Sequence, residues 1–469
     1  MPTVAGTHAY QYLRPSRVED GGQCYLATSG GVTASGPAHH PHVTHPRFFA
    51  GFVAEPEVAA TGLLAVAGVA RARYYQPQAS AWRDPVVTCG GDRLRFESFS
   101  GCCGVYARLD VLSDALDGEV FDRGTTNVDI NGELREALAR VGNSDPLHLA
   151  VGTDELAVTT LDGAVVEKKV PLPERWLRGF AEVQVIAAPF DLRAELSSVD
   201  ATRFLRSLPS GRADLFWAVP AGRSLRLSGR PVPGAVCLAG PQRLEALRPL
   251  LRFATALRVY GPVVGPTSPP VASTWELALP GMRLGLTLSP ESRRGFSGEG
   301  AVLDALASDE VEADADLIGA LLAFEPRVEV DLLAERSGLA PVRVRAALGQ
   351  LGTAGRVGFD VAEAAYFHRE LPYDAGRIER MNPRLRNARA LVASGSVELD
   401  PAGATVRVED RIHRVRLVDG VAAGCTCPWW AEYRGSRGKC KHVLATEIAL
   451  RGEPADDDAE EPLSGAGTR

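Results

Sequence analysis

The sequence predicts a multidomain α+β protein, and three observations carry that prediction. Over residues 46–308, short β-branched runs alternate with isolated amphipathic helices, and one strand-into-helix pattern occurs twice. Residues 315–373 show helical periodicity broken by a tight turn and closed by two strand-like runs. Residues 376–451 carry metal-ligating side chains in Cys-x-Cys and Cys-x-His spacing. A chain of 469 residues has room for about three domains. Apolar residues at 45% and charged residues at 23% place it among globular proteins with real cores, not among disordered or fibrous chains.

Residues 1–45 are rich in Gly, Pro, Ser and His and lack periodicity, so a loop-like segment is expected there. No basic stretch followed by an apolar run opens the chain, which argues against a signal peptide. The most apolar stretch, Gly62–Ala70, falls far short of the ~18 residues a membrane span needs. A soluble, cytoplasmic protein without a membrane partner is expected. His39, His40, His42 and His45 could ligate a metal, but Gly36, Pro37, Pro41 and Pro46 around them favour a plain loop.

Between residues 46 and 308 the helix candidates are Glu55–Ala70, Gly132–Val141, Ser198–Leu208, Pro241–Arg252 and Gly298–Ala307. The strand candidates between them include Arg93–Phe99, Gly104–Leu109, Leu147–Val151, Glu155–Thr160, Ala164–Val170 and Trp275–Leu279. Turns such as Asp162-Gly163 favour antiparallel hairpins. Val128–Val141 and Phe190–Leu208 look alike, each a strand leading straight into an amphipathic helix, and this points to a repeated α+β unit. That unit resembles the repeat of sliding-clamp-like folds. Cys102 and Cys103, with Cys89, could be redox-active, although buried thiols in a strand region are the commoner case. Gly295–Gly300 does not follow a strand with phosphate-loop spacing, and no P-loop lysine, HExxH helix or nucleophile–base pair is present. No enzymatic activity is expected.

An acidic run at 308–316 is expected to separate the next unit. Helices are expected over Asp316–Phe324 and Glu329–Arg336, with Ser337-Gly338-Leu339 as the tight turn. Pro341 opens a third helix where its missing N–H costs nothing, and Val344, Ala347, Leu348 and Leu351 give that helix a buried face. Arg356–Asp360 and Ala364–Arg369 complete a winged helix-turn-helix-like unit over 315–373. Its third helix would present Arg343, Ala346 and Gln350 to DNA, with Arg345 alongside. Charge opposes strong binding, because six Lys and Arg face eight Asp and Glu, a net −2.

The last unit, 376–451, opens with Asn382 capping and Pro383 starting a helix that ends near Gly395. Three strands follow, Ser396–Leu399, Thr405–Val408 and Ile412–Leu417. Then come Cys425-x-Cys427 and, after twelve residues, Cys440-x-His442. Three thiolates and one imidazole suit a single tetrahedral Zn2+, and four protein ligands leave no position for water, so the metal would be structural. Beyond Arg451 the chain is acidic and without apolar anchors, and residues 452–469 are expected to be disordered.

The ligand spacing, the CTCPWW sequence and the flanking helix and strands resemble the SWIM-type zinc finger over about 381–451, and through it the bacterial SWIM zinc finger family proteins. The resemblance implies either nucleic-acid or protein binding. Residues 381–451 hold twelve Lys and Arg against seven Asp and Glu, a net +5, although the whole chain is at −7. Arg434, Arg437, Lys439 and Lys441 lie among the ligands with Trp429, Trp430 and Tyr433 nearby. Basic residues interleaved with aromatics suit phosphates and stacked bases, with DNA expected ahead of RNA. The alternative is a protein-interaction adaptor, which similar bacterial proteins suggest could work with an ATPase.

Overall fold

The structure, a computed structural model, describes residues 47–74, 85–170, 172–209, 215–303, 309–369, 371, 382–400 and 403–452, with four short strands nearer the N-terminus. His39, His40, His42, His45 and the acidic tail beyond Gly452 lie outside the described residues. The chain forms two compact units, 1–302 with 311–375 and 303–310 with 376–469. In the segment expected to be loop-like, β1 (Tyr10–Gln11) pairs with β4 (Val32–Thr33), and β2 (Arg17–Glu19) with β3 (Gln23–Tyr25).

The larger unit repeats one motif: a strand, a helix, then three antiparallel strands. In the first copy β5 (Arg47–Val53) leads into α1 (Pro56–Arg71), followed by β6 (Val86–Cys89), β7 (Arg93–Phe99) and β8 (Val105–Leu112). After β9 (Leu116–Val120), the second copy is β10 (Gly124–Asn127), α2 (Gly132–Ala139), β11 (His148–Gly152), β12 (Glu155–Thr160) and β13 (Gly163–Lys168). Next comes α3 (Glu174–Ala187). The third copy is β14 (Asp191–Ser197), α4 (Ser198–Ser207), β15 (Leu215–Ala221), β16 (Ser224–Ser228) and β17 (Val236–Ala239). A 3-10 helix (Pro241–Leu250) then precedes β18 (Ala256–Gly261), β19 (Ser273–Leu279) and β20 (Met282–Leu288), a fourth helix-and-three-strand set.

The copies interlock. The eight-stranded sheet runs β10-β6-β7-β8-β20-β19-β18-β14, so the first strands of the second and third copies cap its two edges. The second copy's triple likewise pairs with β5 in a sheet ordered β13-β12-β11-β5-β9. Gly51 of β5 faces Gly118 of β9, where a Cβ on either would come within 2.3–2.4 Å of the other's Cα, so only glycine permits this pairing. The two stretches read as alike in the sequence are the entries to the second and third copies. Around Val128, however, only an isolated bridge to Lys169 forms, because the pairing strand ends at Asn127.

Several elements depart from the sequence reading. The helix α3 was not anticipated, although Trp176, Phe180, Val183 and Ala187 recur at helical spacing and are buried. The segment expected as a helix over Pro241–Arg252 is a 3-10 helix carrying Pro249 inside it, which removes a donor that an α-helix needs. Of the helix expected over Gly298–Ala307, the described residues show a 3-10 turn at Phe296–Gly298 and a helical Leu303, and residues 304–308 lie outside the described set. The acidic run expected to be a separator instead starts α5 (Asp309–Leu321).

After α5 come α6 (Val330–Ser337), α7 (Pro341–Thr353) and a hairpin of β21 (Val357–Asp360) with β22 (Ala365–His368). Gly338, at φ 72°, ends α6 in the left-handed conformation that lets the chain turn into α7. Ile318, Leu333, Val344, Ala347, Leu348 and Leu351 form its core. This part is docked on the repeats. The Gln184 side chain of α3 donates to the Gly352 carbonyl of α7. Asp360 of β21 accepts from Arg108 at 2.8 Å and from Arg283 at 2.8 Å, and Arg283 also reaches Asp110 at 2.9 Å. Arg95, fully buried, lies 3.9 Å from the centroid of the Phe367 ring. Burial alone would raise the Asp360 carboxyl, but Arg108, Arg283 and Arg95 outweigh it and hold the group well below the usual carboxylate range. At nearby Glu276 burial wins over Arg283 and Arg108 and pushes the carboxyl up to about 7.

The smaller unit has α8 (Pro383–Ala393), then β23 (Val397–Asp400), β24 (Gly403–Val408), β25 (Arg411–Val418) and β26 (Val421–Cys425) as one antiparallel sheet in that order. Four strands stand where three were expected, because β26 runs into the first metal-ligating cysteine. Two helices follow, α9 (Pro428–Tyr433) and α10 (Lys441–Arg451). The face of the sheet bearing Ala404, Val406, Val415 and Ala422 is buried with Val443 of α10, and alternation along β25 puts Arg414 and Arg416 on the other, open face.

Candidate metal centre

The four ligands come from three element ends. Cys425 closes β26, Cys427 is the N-cap of α9, Cys440 is the N-cap of α10, and His442 sits in the first turn of α10. Between the first two, Thr426 turns outward. Its backbone N–H donates to the Arg414 carbonyl at 3.0 Å, and its hydroxyl accepts from the Arg414 N–H at 2.9 Å. This pins the intervening residue to β25 and leaves both neighbouring cysteines facing inward. Cys427 Sγ accepts from the Trp430 N–H at 3.4 Å, and Cys440 Sγ from the Val443 N–H at 3.5 Å. Two helix N-termini therefore point at sulfurs and favour thiolate over thiol.

The ligand atoms of Cys425, Cys427, Cys440 and His442 lie within 4.8 Å of one another. Cys425 Sγ is 3.6 Å from His442 Nδ1. A tetrahedral edge between sulfur at ~2.3 Å and nitrogen at ~2.0 Å from zinc is about the same length. Cys427, Cys440 and His442 are buried and Cys425 is partly so, while the His413 ring of β25 stacks on His442 with centroids 4.1 Å apart. The sulfurs also oppose one another's charge. The hydrogen bond with Cys425 pulls Cys440 down to about 4, the same bond pushes Cys425 above the thiol range, and burial raises Cys427. One divalent cation resolves that conflict by letting all three ionise together. The donor set and spacing fit zinc with no position left open.

The predicted nucleic-acid contacts divide into committed and uncommitted groups. Arg437 lies over Trp429, 5.1 Å from its centroid, and over Tyr433 at 4.8 Å, while Arg384 covers Trp429 at 4.6 Å. The Trp429 indole donates to the Gly438 carbonyl at 3.4 Å, so this clasp closes the loop between the ligand pairs. Lys439 is paired with Glu447 at 2.8 Å. Arg434, the left-handed C-cap of α9 at φ 45°, is exposed, and Lys441 is half-exposed. Neither makes a side-chain hydrogen bond or ion pair among the described residues. In α7, Arg343 is held by both carboxylate oxygens of Asp314, at 2.6 and 2.8 Å, and Gln350 is half-buried, whereas Arg345 and Ala346 are exposed. The stripe expected to read DNA is thus partly taken up within the protein. Arg414 and Arg416, absent from the sequence reading, are exposed, and their side chains have no such partner among the described residues.

Cys89, Cys102 and Cys103 are buried free thiols. Burial pushes Cys89 up to about 11 and Cys103 up to about 12, so neither has the thiolate character that redox work requires. No helix among the described residues is long and apolar enough to cross a membrane.

Residues 405–451 match the family model of the SWIM zinc finger. No curated protein matches the chain. Solved structures similar to it include Proliferating Cellular Nuclear Antigen from Entamoeba histolytica, at 12% identity over 52% of this chain and 99% of that one, with a TM-score of 0.35. The PCNA2-PCNA3 complex from Sulfolobus tokodaii is similar at 11% identity over 52% of this chain and 100% of the other, with a TM-score of 0.37.

Proposed function

We propose that the chain is a non-enzymatic zinc protein that contacts nucleic acid, DNA ahead of RNA, through its SWIM module. The observation that carries this reading is the surplus of cations around the metal centre. Residues 381–451 hold twelve Lys and Arg against seven acidic residues, and Arg434, Lys441, Arg414 and Arg416 are free of internal ion pairs among the described residues. Side chains held ready on a metal-pinned scaffold can neutralise phosphates without first breaking internal bonds.

The test is fluorescence anisotropy of the full chain with labelled single-stranded and duplex DNA at two salt concentrations. Binding should weaken steeply as salt rises, and a log–log slope near −0.7 to −0.9 per phosphate contact gives the number of cations engaged. Absence of binding at low salt rejects the reading. One observation favours a second role, that of a protein-interaction adaptor working with an ATPase. The third helix of the 315–373 unit has Arg343 tied to Asp314 and its C-terminal turn bonded to α3, which suits a docking or spacer unit better than a DNA reader. If replacing both Arg343 and Arg345 by alanine leaves DNA affinity unchanged, that unit is not a DNA contact.

A further inference from the structure

The open face of the zinc module's sheet carries a groove of about 500 Å³, lined by Asp400, Thr405, Arg414, Arg416, Gly424 and Trp430 among others. Its cross-section follows from strand register. Arg416 pairs with Gly403 on one side and with Gly424 on the other, so no side chain rises beside its guanidinium on either neighbouring strand. A Cβ built at Gly424 would lie 3.7 Å from the Trp430 indole nitrogen and 4.0 Å from Arg416 Nε. The indole and the guanidinium therefore converge above a bare glycine.

The two tryptophans of the CTCPWW sequence differ in commitment. Trp429 is hydrogen-bonded and covered by Arg384 and Arg437. Trp430 is half-exposed, and among the described residues its indole N–H donates to nothing. Arg414 and Arg416 project from the same face of β25, two residues and so about 6.8 Å apart along the strand, comparable to one nucleotide of an extended chain. Among the described residues Asp400 is the one acidic residue lining the groove, two strands from Arg416 in the same cross-strand row.

We infer that this groove binds a segment of single-stranded DNA, with one base stacked against Trp430 and successive phosphates on Arg414 and Arg416. The inference rests on the nucleic-acid reading above and specifies its surface. A flat aromatic ring beside arginines that have no ion pair among the described residues suits a planar base followed by its phosphate. A duplex hides its base faces and could not use the indole. Gly403, Ala423 and Gly424 leave room in the groove for a sugar, and the oligothymidine and oligouridine arms of the test decide between deoxyribose and ribose.

The experiment titrates the full-length zinc-loaded chain with labelled oligothymidine, oligouridine and duplex DNA, following anisotropy and tryptophan fluorescence. Oligothymidine should bind tightest and quench fluorescence, and Trp430→Phe should abolish most of that quench. Arg414→Ala with Arg416→Ala should weaken binding at least tenfold and flatten the salt dependence by about two phosphate contacts. Gly424→Leu changes no charge but fills the space between indole and guanidinium, and it should weaken binding on the order of tenfold. Stoichiometric zinc in each variant certifies the fold. If the parent binds DNA but these variants bind equally well, while Arg434→Ala with Lys441→Ala weakens binding, the groove is rejected and the broader reading stands. Tighter binding of duplex or of oligouridine also overturns the groove assignment. If the parent binds no nucleic acid at low salt, the broader reading fails and the groove falls with it.

Discussion

In the repeat-built unit, a continuous apolar core runs under the eight-stranded sheet, with Trp275, Leu109, Leu284 and Phe96 all fully buried. In the zinc module the cluster packed under the sheet is Ala404, Val406, Val415, Ala422, Cys427, Cys440 and Val443, two of these seven being metal ligands, with Leu385, Ala388, Leu444, Ala445 and Ile448 buried beside it. The first unit holds together by apolar area and interlocked strands. The second is too small to do so and substitutes coordination bonds for missing core. The difference teaches where each region is fragile. A metal site is lost all at once, whereas a large core loses stability by increments.

The largest expected effect tests that contrast directly. Cys440→Ser, or chelation of the parent, should unfold residues 403–452 while leaving hydrogen exchange over 85–170 and 215–303 unchanged. Structural zinc is worth about 10–16 kcal/mol in small finger peptides, more than so small a core can spare. Retained protection in the metal-free module would erase the contrast.

Next in size is the mirror experiment. Trp275 is fully buried and stacks on Phe204 with centroids 5.7 Å apart, so Trp275→Ala should cost about 3–5 kcal/mol in denaturant unfolding of the larger unit. Zinc content should stay stoichiometric. Loss of zinc would show that the two units do not unfold independently.

A smaller effect should depend on pH. Because the folded value of Glu276 lies near 7 against an ordinary 4.5, the neutral acid is the form favoured in the native state. Its contribution is present below about pH 4.5 and is lost as pH rises through about 7. Glu276→Gln should therefore gain stability relative to the parent between pH 5 and 8, by on the order of 1–2 kcal/mol in thermal melts. A constant offset across that range would show that the carboxyl stays ionised. Asp360 runs the opposite way. Its depressed value gives stability present at neutral pH and lost as acid protonates it. The smallest expected effect is Arg437→Ala, which removes one cation from the Trp429–Tyr433 clasp and should cost about 0.5–1 kcal/mol without releasing zinc.

The zinc ligands were readable because the information is local. A Cys-x-Cys at a strand end and a Cys-x-His at a helix start place four donors by backbone geometry alone. Two of the repeat entries were readable for the same reason, since a strand and its following helix are adjacent in sequence. The interlock was not, because β10 and β14 join triples belonging to other copies, and no local pattern records a distant edge. Helix α3 was missed despite a regular apolar face, since Pro171 and Pro173 ahead of it and Val183 and Val185 within it resemble a turn and a strand. Charge was the least readable property. Arg437 and Lys439 lie between the ligands in sequence but are spent on Trp429, Tyr433 and Glu447, whereas Arg414 and Arg416, ordinary outward residues of a strand, remain available. Only the partners distinguish the two kinds.

The central seam of the larger sheet also constrains how the chain comes into being. Leu109 of β8 pairs with Leu284 of β20, 175 positions later. At a synthesis rate of about 5–20 residues per second, β8 waits roughly 10–35 seconds for its neighbour to leave the ribosome. Throughout that interval the nascent N-terminal half displays an unprotected apolar edge able to zip onto another copy. Slowing translation between codons 112 and 282 should therefore raise the aggregated fraction during expression more than the same pause placed after codon 375.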